Sequence, residues 1–358
     1  MMDKIGISLI WVFWMMSVSA VEGQVTSEYN PTYGSTFDRV NKRGYVVCGT
    51  NGEFPGFSRE DWNMEDGSRW EGFDVDICRA IAAAMFGDAE AIEFTIVNGK
   101  TRFEFLTDGS IDVLSAATTY TFTRNVAKKL EFMPTTFYDG QGFIVRKTLG
   151  VSSAKQMEGA RICFSGTGTA AKNIADFMEL HGISYIPVAV KSTEKTKNVY
   201  KRGDCDMYGT DRSGLASNRL SFDDPDRHMI LPEIISKEPL GPVVRYGDQK
   251  WSDVIRWTVY VLFIAEEMGI NSQNIDSFKN NIDPNIQRFM GEKNGKDHPH
   301  LGAKLGLGAT WSYNIIKQVG NYREIYERNV GENTSLGLKR GLNRLYNHGG
   351  LLYAPPLK

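Results

Sequence analysis

Four short phrases of this sequence carry residue types that could grip a small charged molecule. The first, "TTYTFTRN" at residues 118–125, sets four threonines ahead of a single arginine. Hydroxyls and free backbone N–H groups donate to a carboxylate, and the planar Arg124 fork can hold one through two parallel charge-assisted bonds. A lysine would bring charge without that planar match. If the segment stays extended, alternation puts Thr119, Thr121 and Thr123 on one face. A threonine-rich edge strand with a surface arginine is the plainer alternative. The second phrase is "YGTDRSGLAS", in which Asp211 either accepts from a ligand ammonium or caps a helix start.

The third phrase, "FSGTGTAAKN", places Gly166, Gly168 and Ala171 at a dinucleotide-loop spacing. That match is poor, because the next strand ends in Lys191 where an acidic residue is needed. A phosphate loop fails as well, since Lys172 has Ala171 before it and Asn173 after it. What survives is an open helix start whose Thr167, Gly168 and Thr169 offer donors to a small anion such as a carboxylate; a plain tight turn is the alternative. In the fourth phrase, "NGEFPGFSRED", Phe54 and Phe57 either pack on a ligand side chain or anchor their own loop to the core. No nucleophile with a paired base is visible, for no histidine lies near Ser165 or Ser213 in the chain.

The elements that must position these phrases alternate. Strand "YVVCGT", helix "GFDVDICRAIAAAMFG", strand "AIEFTIV", helix "RFEFLTDG" and strand "IDVLSAA" read as a parallel sheet covered by helices. The order returns as "ARICFSG", "AAKNIADFMELHG", "YIPVAV", "EKTKNVYKRG" and "CDMYGTD". Each of the four phrases falls at the carboxyl end of a strand, where open α/β sheets bind ligands. Two extended segments, "YDGQGFIVRK" and "SKEPLGPVVRYGD", connect the units and suggest a two-stranded hinge. The apolar run in "WSDVIRWTVYVLFIAEEMG" is short for a membrane span and reads as a core helix. "GEKNGKDHPHLG" reads as a surface loop.

A length of 358 residues exceeds what one core usually serves, so two domains are expected. A formal net charge of -2 supplies no field suited to nucleic acid. Lys4, the uncharged run from Ile5 to Ala20 and the small residues before Ala20 have the layout of a secretory signal, with cleavage after Ala20 or Gly23. Export makes disulfides of the four cysteines plausible, with three possible connectivities. Position favours local pairing, Cys48 with Cys78 and Cys163 with Cys205, over four free thiols. Their spacing and the scattered histidines offer no metal site, and no cofactor is expected.

Together, "RVNKRGYVVCG", "GFDVDICRAIAAAMFGDA", "GSIDVLSAATTYTFTR", "YDGQGFIVRK", "RGDCDMYGTDRSGLAS", "IIKQVGNYREIYERNVG" and "GGLLYAPP" resemble the amino-acid-binding periplasmic proteins of ABC transporters, the extracellular solute-binding protein family 3, and within it the broad-specificity uptake systems. The resemblance implies an α/β fold of two lobes, the type II periplasmic-binding-protein fold, with the ligand in the cleft between them. Lobe 1 is expected from residues 24–140 and 241–358, with a C-terminal helical extension, and lobe 2 from 141–240 with the hinge segments; residues 1–23 are the signal. It implies that Arg124 grips an α-carboxylate with help from Thr119, that Asp211 meets the α-ammonium, and that the turn from Gly166 to Thr169 completes the carboxylate site. Phe57 then faces the ligand side chain, and Thr121 is a further candidate. The cysteine pairing suits the family.

The chain departs from close relatives at Tyr120, near Ala117 and in "SGTGTAAK", where they carry tryptophan, asparagine and a run like "AGTTTEL". The implied partners are an L-amino acid and the membrane permease of an ABC transporter, with the protein a monomer in the periplasm, without a lipid anchor, and not an enzyme. An exported dehydratase-like enzyme on the same scaffold, or a sensor for a signalling partner, is the alternative.

Overall fold

The computed structural model describes residues 35–61, 69–291 and 300–358. The expected signal at residues 1–23 and most of the "GEKNGKDHPHLG" loop lie outside them.

Two five-stranded sheets organise the described chain. In the first, the strands Ile92–Ile96, Val46–Thr50 and Val113–Leu114 run parallel in that order, and Val243–Arg245 and then Leu130–Phe132 extend the sheet. In the second, Tyr185–Val190, Ala160–Ser165 and Met207–Asp211 are parallel neighbours, followed by Gln141–Arg146 and His228–Ile230. The two sheets share one plan, and each takes its fourth strand from the chain arriving from the other. Those arrivals pass through Phe137–Asp139 and Glu238–Leu240, which pair antiparallel with Asp139 opposite Glu238.

Local chemistry explains where the parallel units break. The helix Phe73–Phe86 stops at Gly87, whose φ of 72° suits a residue without Cβ and whose N–H closes on the Ala83 carbonyl. Helix Arg102–Asp108 also stops at a glycine in the left-handed region, Gly109, with a φ of 86°. Helix Gln249–Glu267 is apolar around most of its circumference and packs against both Phe73–Phe86 and Trp311–Val319, with Trp251, Ile255 and Leu262 fully buried. Each such side chain contributes about 1.5–3 kcal/mol of hydrophobic stabilisation. No helix among the described residues is long and apolar enough to cross a membrane. A second core around Phe143, Ile162, Ile174 and Met207 lies under the other sheet.

The C-terminal segment braces one connecting strand. Asn343 accepts from the Tyr138 N–H at 2.6 Å and donates to the Tyr138 carbonyl at 3.1 Å, while the Tyr322 hydroxyl donates to the Thr136 carbonyl at 2.7 Å. Cys48 is bonded to Cys78 and Cys163 to Cys205, so each disulfide ties a strand to chain that follows it.

The segment "TTYTFTRN" does not stay extended. Only Thr119 pairs, as a single bridge to Leu240, and the chain then winds into a helical turn at Thr123–Ala127. Thr123 is consequently exposed and leaves the face that Thr119 occupies.

Candidate functional site

A cleft of about 540 Å³ is walled by residues of both sheets' units. From the first come Phe54, Arg102, Thr119 and Arg124; from the second come Thr167, Gly168, Thr169 and Asp211. The two sides approach each other directly. The Ser217 hydroxyl donates to the Pro55 carbonyl at 3.0 Å, and a Cβ placed on Gly99 would stand only 2.9 Å from the Cβ of Thr167.

Arg124 owes its position to the turn after Thr119. The Thr121 hydroxyl accepts from the Arg124 N–H at 3.2 Å, and the Arg124 guanidinium donates back to the Thr119 carbonyl at 2.6 Å. The side chain is buried, with its Cζ 5.4 Å from the centre of the Phe103 ring. Burial pulls its pKa below the ordinary arginine value, although the negative charges of Glu238 and Asp211 act in the opposite direction.

Asp211 closes the strand Met207–Asp211 and occupies the N-cap position of helix Arg212–Leu220. Its carboxylate makes no capping bond, which leaves it for the cleft. Burial raises its pKa well above the usual carboxylate range, and Asp139 and Glu238 raise it further; Arg124 and Arg102 partly oppose them. The turn before helix Ala170–Leu180 supplies the remaining donors. Its start has no side-chain cap, the Ser165 and Thr167 hydroxyls lie 3.0 Å apart, and the Thr169 hydroxyl donates to Glu238 at 3.3 Å.

Arg124, Asp211, Thr119, Thr167, Gly168 and Thr169 are thus brought to one cleft. Two expected residues are not on its wall. Phe57 is 1 % exposed and packs against Phe73 and Phe137 in the core. It presents its neighbour instead, for Phe54 stacks on Phe57 at 4.6 Å and lines the cleft. Thr121 spends its hydroxyl on the backbone of Arg124, because the chain turns there rather than continuing as a strand.

Sequence reasoning passed over Arg102, Lys191 and Asn218, all on the wall. Arg102 opens the helix after the parallel strand Ile92–Ile96, the place where such sheets present ligand-binding residues, and that rule would have found it. The carboxylates at the back were also passed over. Asp139 accepts from the Gly140 N–H at 2.8 Å and the Ser213 N–H at 3.2 Å. Glu238 is 1 % exposed and accepts from Asn173 at 2.7 Å and from Ser236 at 2.8 Å.

Chemically, the cleft offers a guanidinium, hydroxyls and helix-start N–H groups to an anion, and a half-buried carboxylate to a cation. Among the described residues no cluster of three or more His, Cys, Asp or Glu side chains is placed to hold a metal ion.

A family profile described as bacterial extracellular solute-binding proteins, family 3, matches residues 46–332. The chain is 47% identical over 324 residues to the general L-amino acid-binding periplasmic protein AapJ of Rhizobium johnstonii, covering 90% of this chain and 93% of that protein. It is 43% identical to the glutamate/glutamine/aspartate/asparagine-binding protein BztA of Rhodobacter capsulatus, covering 90% and 94%. Among solved structures, an ABC transporter periplasmic binding protein from Brucella ovis with glutathione bound superimposes with a TM-score of 0.86 at 42% identity, covering 91% of this chain and all of that one.

Proposed function

The chain belongs to the bacterial extracellular solute-binding proteins, family 3, and from that premise we propose that its cleft captures free L-amino acids by clamping their zwitterionic head group between the lobes. The fold is the two-lobe, type II periplasmic-binding-protein fold, and the family and the relatives above are binding and transport proteins. The observation that carries the proposal is that Arg124, in the turn before the first sheet's strand Leu130–Phe132, and Asp211, at the end of a strand of the second sheet, line one cleft.

In this reading the α-carboxylate lies against Arg124, Thr119 and the N–H groups of the turn Thr167 to Thr169. The α-ammonium lies against Asp211. One zwitterion then ties both lobes together, and a ligand lacking either charge leaves one lobe without a partner. Lobe 1 comprises residues 24–140 and 241–358 and lobe 2 residues 141–240, and the paired segments Phe137–Asp139 and Glu238–Leu240 bend between them. An open form admits the ligand, and closure over it is the signal that a membrane permease reads. The protein works as a monomer, exported to the periplasm by a signal at residues 1–23, and returns its ligand unchanged. Relatives named for acidic amino acids and their amides, and one solved with glutathione, support a ligand class of molecules with a free α-amino and α-carboxylate group.

Thermal-shift screening of the twenty amino acids tests this. A ligand at 100 times its dissociation constant adds roughly 2.7 kcal/mol of stability, and a flat response across all twenty would overturn the proposal.

A further inference from the structure

Asp211 stands where a helix would ordinarily claim it. It is the N-cap residue of helix Arg212–Leu220, and an aspartate there usually accepts from the backbone N–H of the second or third helical residue, here Ser213 or Gly214. Its carboxylate makes no such bond. An aspartate bonded to its own helix start could meet a ligand ammonium only by giving that bond up.

The cap comes from elsewhere. The Asp139 carboxylate, 74 positions before Ser213 in the chain, accepts from the Ser213 N–H at 3.2 Å. The neighbouring Gly140 carbonyl accepts from the Arg212 N–H at 2.9 Å. Two consecutive residues of the connecting segment therefore satisfy two of the N–H groups that a helix start leaves without an internal partner. Strand pairing fixes this arrangement, for Gln141–Arg146 runs antiparallel to Met207–Asp211 with Gln141 opposite Asp211. Asp211 lines the cleft, and Asp139 does not.

The substitute cap is itself held in place. One Asp139 oxygen takes the Ser213 N–H and the other takes the Gly140 N–H at 2.8 Å. Tyr138, one residue earlier, has its backbone N–H and carbonyl bonded to the Asn343 side chain at 2.6 and 3.1 Å. The Asn343 carbonyl accepts from Arg340 at 2.9 and 2.7 Å, and Arg340 forks onto Glu266 at 3.0 and 3.1 Å. A run of bonds thus leads from helix Gln249–Glu267 through the C-terminal segment to the residue beside Asp139.

We infer that Asp139 is a positioning residue: by capping helix Arg212–Leu220 in place of Asp211, it leaves the Asp211 carboxylate free to receive the ligand ammonium. This rests on the head-group clamp proposed above. Asp139 also bears on Asp211 by its charge, so the test compares alanine with asparagine, both of which remove the charge while only asparagine keeps a capping acceptor.

Melting of the ligand-free protein at pH 7 reads the cap without any ligand. Asp139→Ala should melt lower than Asp139→Asn by about 2 °C or more, whereas Asp211→Ala and Asp211→Asn should melt alike. No gap at position 139, or a gap at position 211 as large as the one at 139, overturns the inference. The pair at position 211 keeps that decision open should Asp139→Ala fail to fold. Calorimetry with the L-amino acid that gives the largest shift in the thermal screen reads the consequence for binding. In Asp139→Ala the freed Ser213 N–H captures Asp211, and affinity should fall about fivefold or more below that of Asp139→Asn, the worth of one cap. Equal affinity in the two variants reduces Asp139 to its charge and overturns the inference with the clamp intact. A flat thermal-shift screen of the wild type removes the clamp, and with it the role assigned to Asp139, whatever the melting temperatures read.

Discussion

Asp139 and Glu238 stand opposite each other in the two strands that join the lobes, and both act electrostatically on Asp211 at the end of a third. Three carboxylates therefore bear electrostatically on the place where the ligand ammonium is proposed to bind. Burial first, and the Glu238 charge after it, raise Asp139 to about 6, against the opposing pull of its hydrogen bonds to Ser213 and Gly140.

The sign of the pH effect follows. A carboxyl whose folded pKa lies above its unfolded value binds more protons folded than unfolded, so it favours folding at low pH. That contribution is lost as pH rises from about 4 to about 6. The ligand-free wild type should therefore lose more thermal stability over that interval than Asp139→Asn does, as differential scanning calorimetry would read. An ammonium ligand favours the ionised carboxylates, so binding should tighten with rising pH and release protons. Titrations in buffers of unlike ionisation enthalpy check the release, and proton uptake would contradict the scheme.

Removing either half of the clamp should weaken binding sharply. Arg124→Ala leaves the ligand carboxylate without its charge-assisted partner, at a cost of at least ~2 kcal/mol, more than tenfold in affinity. Asp211→Asn keeps the shape and removes the charge, and should penalise α-amino acids more than their N-acetyl derivatives. Calorimetry with a cognate amino acid decides both; unchanged affinity in Arg124→Ala would remove the arginine from the site.

Closure depends on Gly99 being bare. A Cβ there meets Thr167 across the cleft at 2.9 Å, closer than side chains pack. Gly99→Val should hold the lobes apart, reduce affinity about tenfold or more by an effect on the order of 1–2 kcal/mol, and leave the ligand-free melting temperature nearly as it was. Small-angle scattering should show less compaction on ligand addition than in the wild type.

Ala117 offers a gain in stability. It holds a φ of 42°, in the left-handed region, while its N–H donates to Asp74 at 2.9 Å. That conformation costs an L-residue with a Cβ roughly 1–2 kcal/mol, and asparagine tolerates it better. Ala117→Asn should raise the melting temperature of the ligand-free protein, and a fall would show that the strain is compensated elsewhere.

Much of the molecule was legible in the chain. The two runs of alternating strand and helix, the glycine stops at Gly87 and Gly109, and the core helix Gln249–Glu267 follow from short-range periodicity and backbone sterics, which neighbouring residues decide among themselves. Arg124 and Asp211 stood out as charged residues in segments that follow or close a strand, because parallel sheets leave the carboxyl ends of their strands open. Side-chain direction was another matter. Phe54 and Phe57 differ by three positions on one loop, and only the packing of Phe73 and Phe137 around Phe57 decides which ring faces the cleft. Thr121 left the ligand face because the chain curls after its single bridge to Leu240, a partner far along the sequence. Asp139 and Glu238, nearly a hundred residues apart, become neighbours only when both crossings pair. Local forces act over a few residues, so the sequence by itself determined the elements and the charged ends. Which side chains share a low-dielectric space depends on contacts closed between distant segments, and that the tertiary structure alone decided.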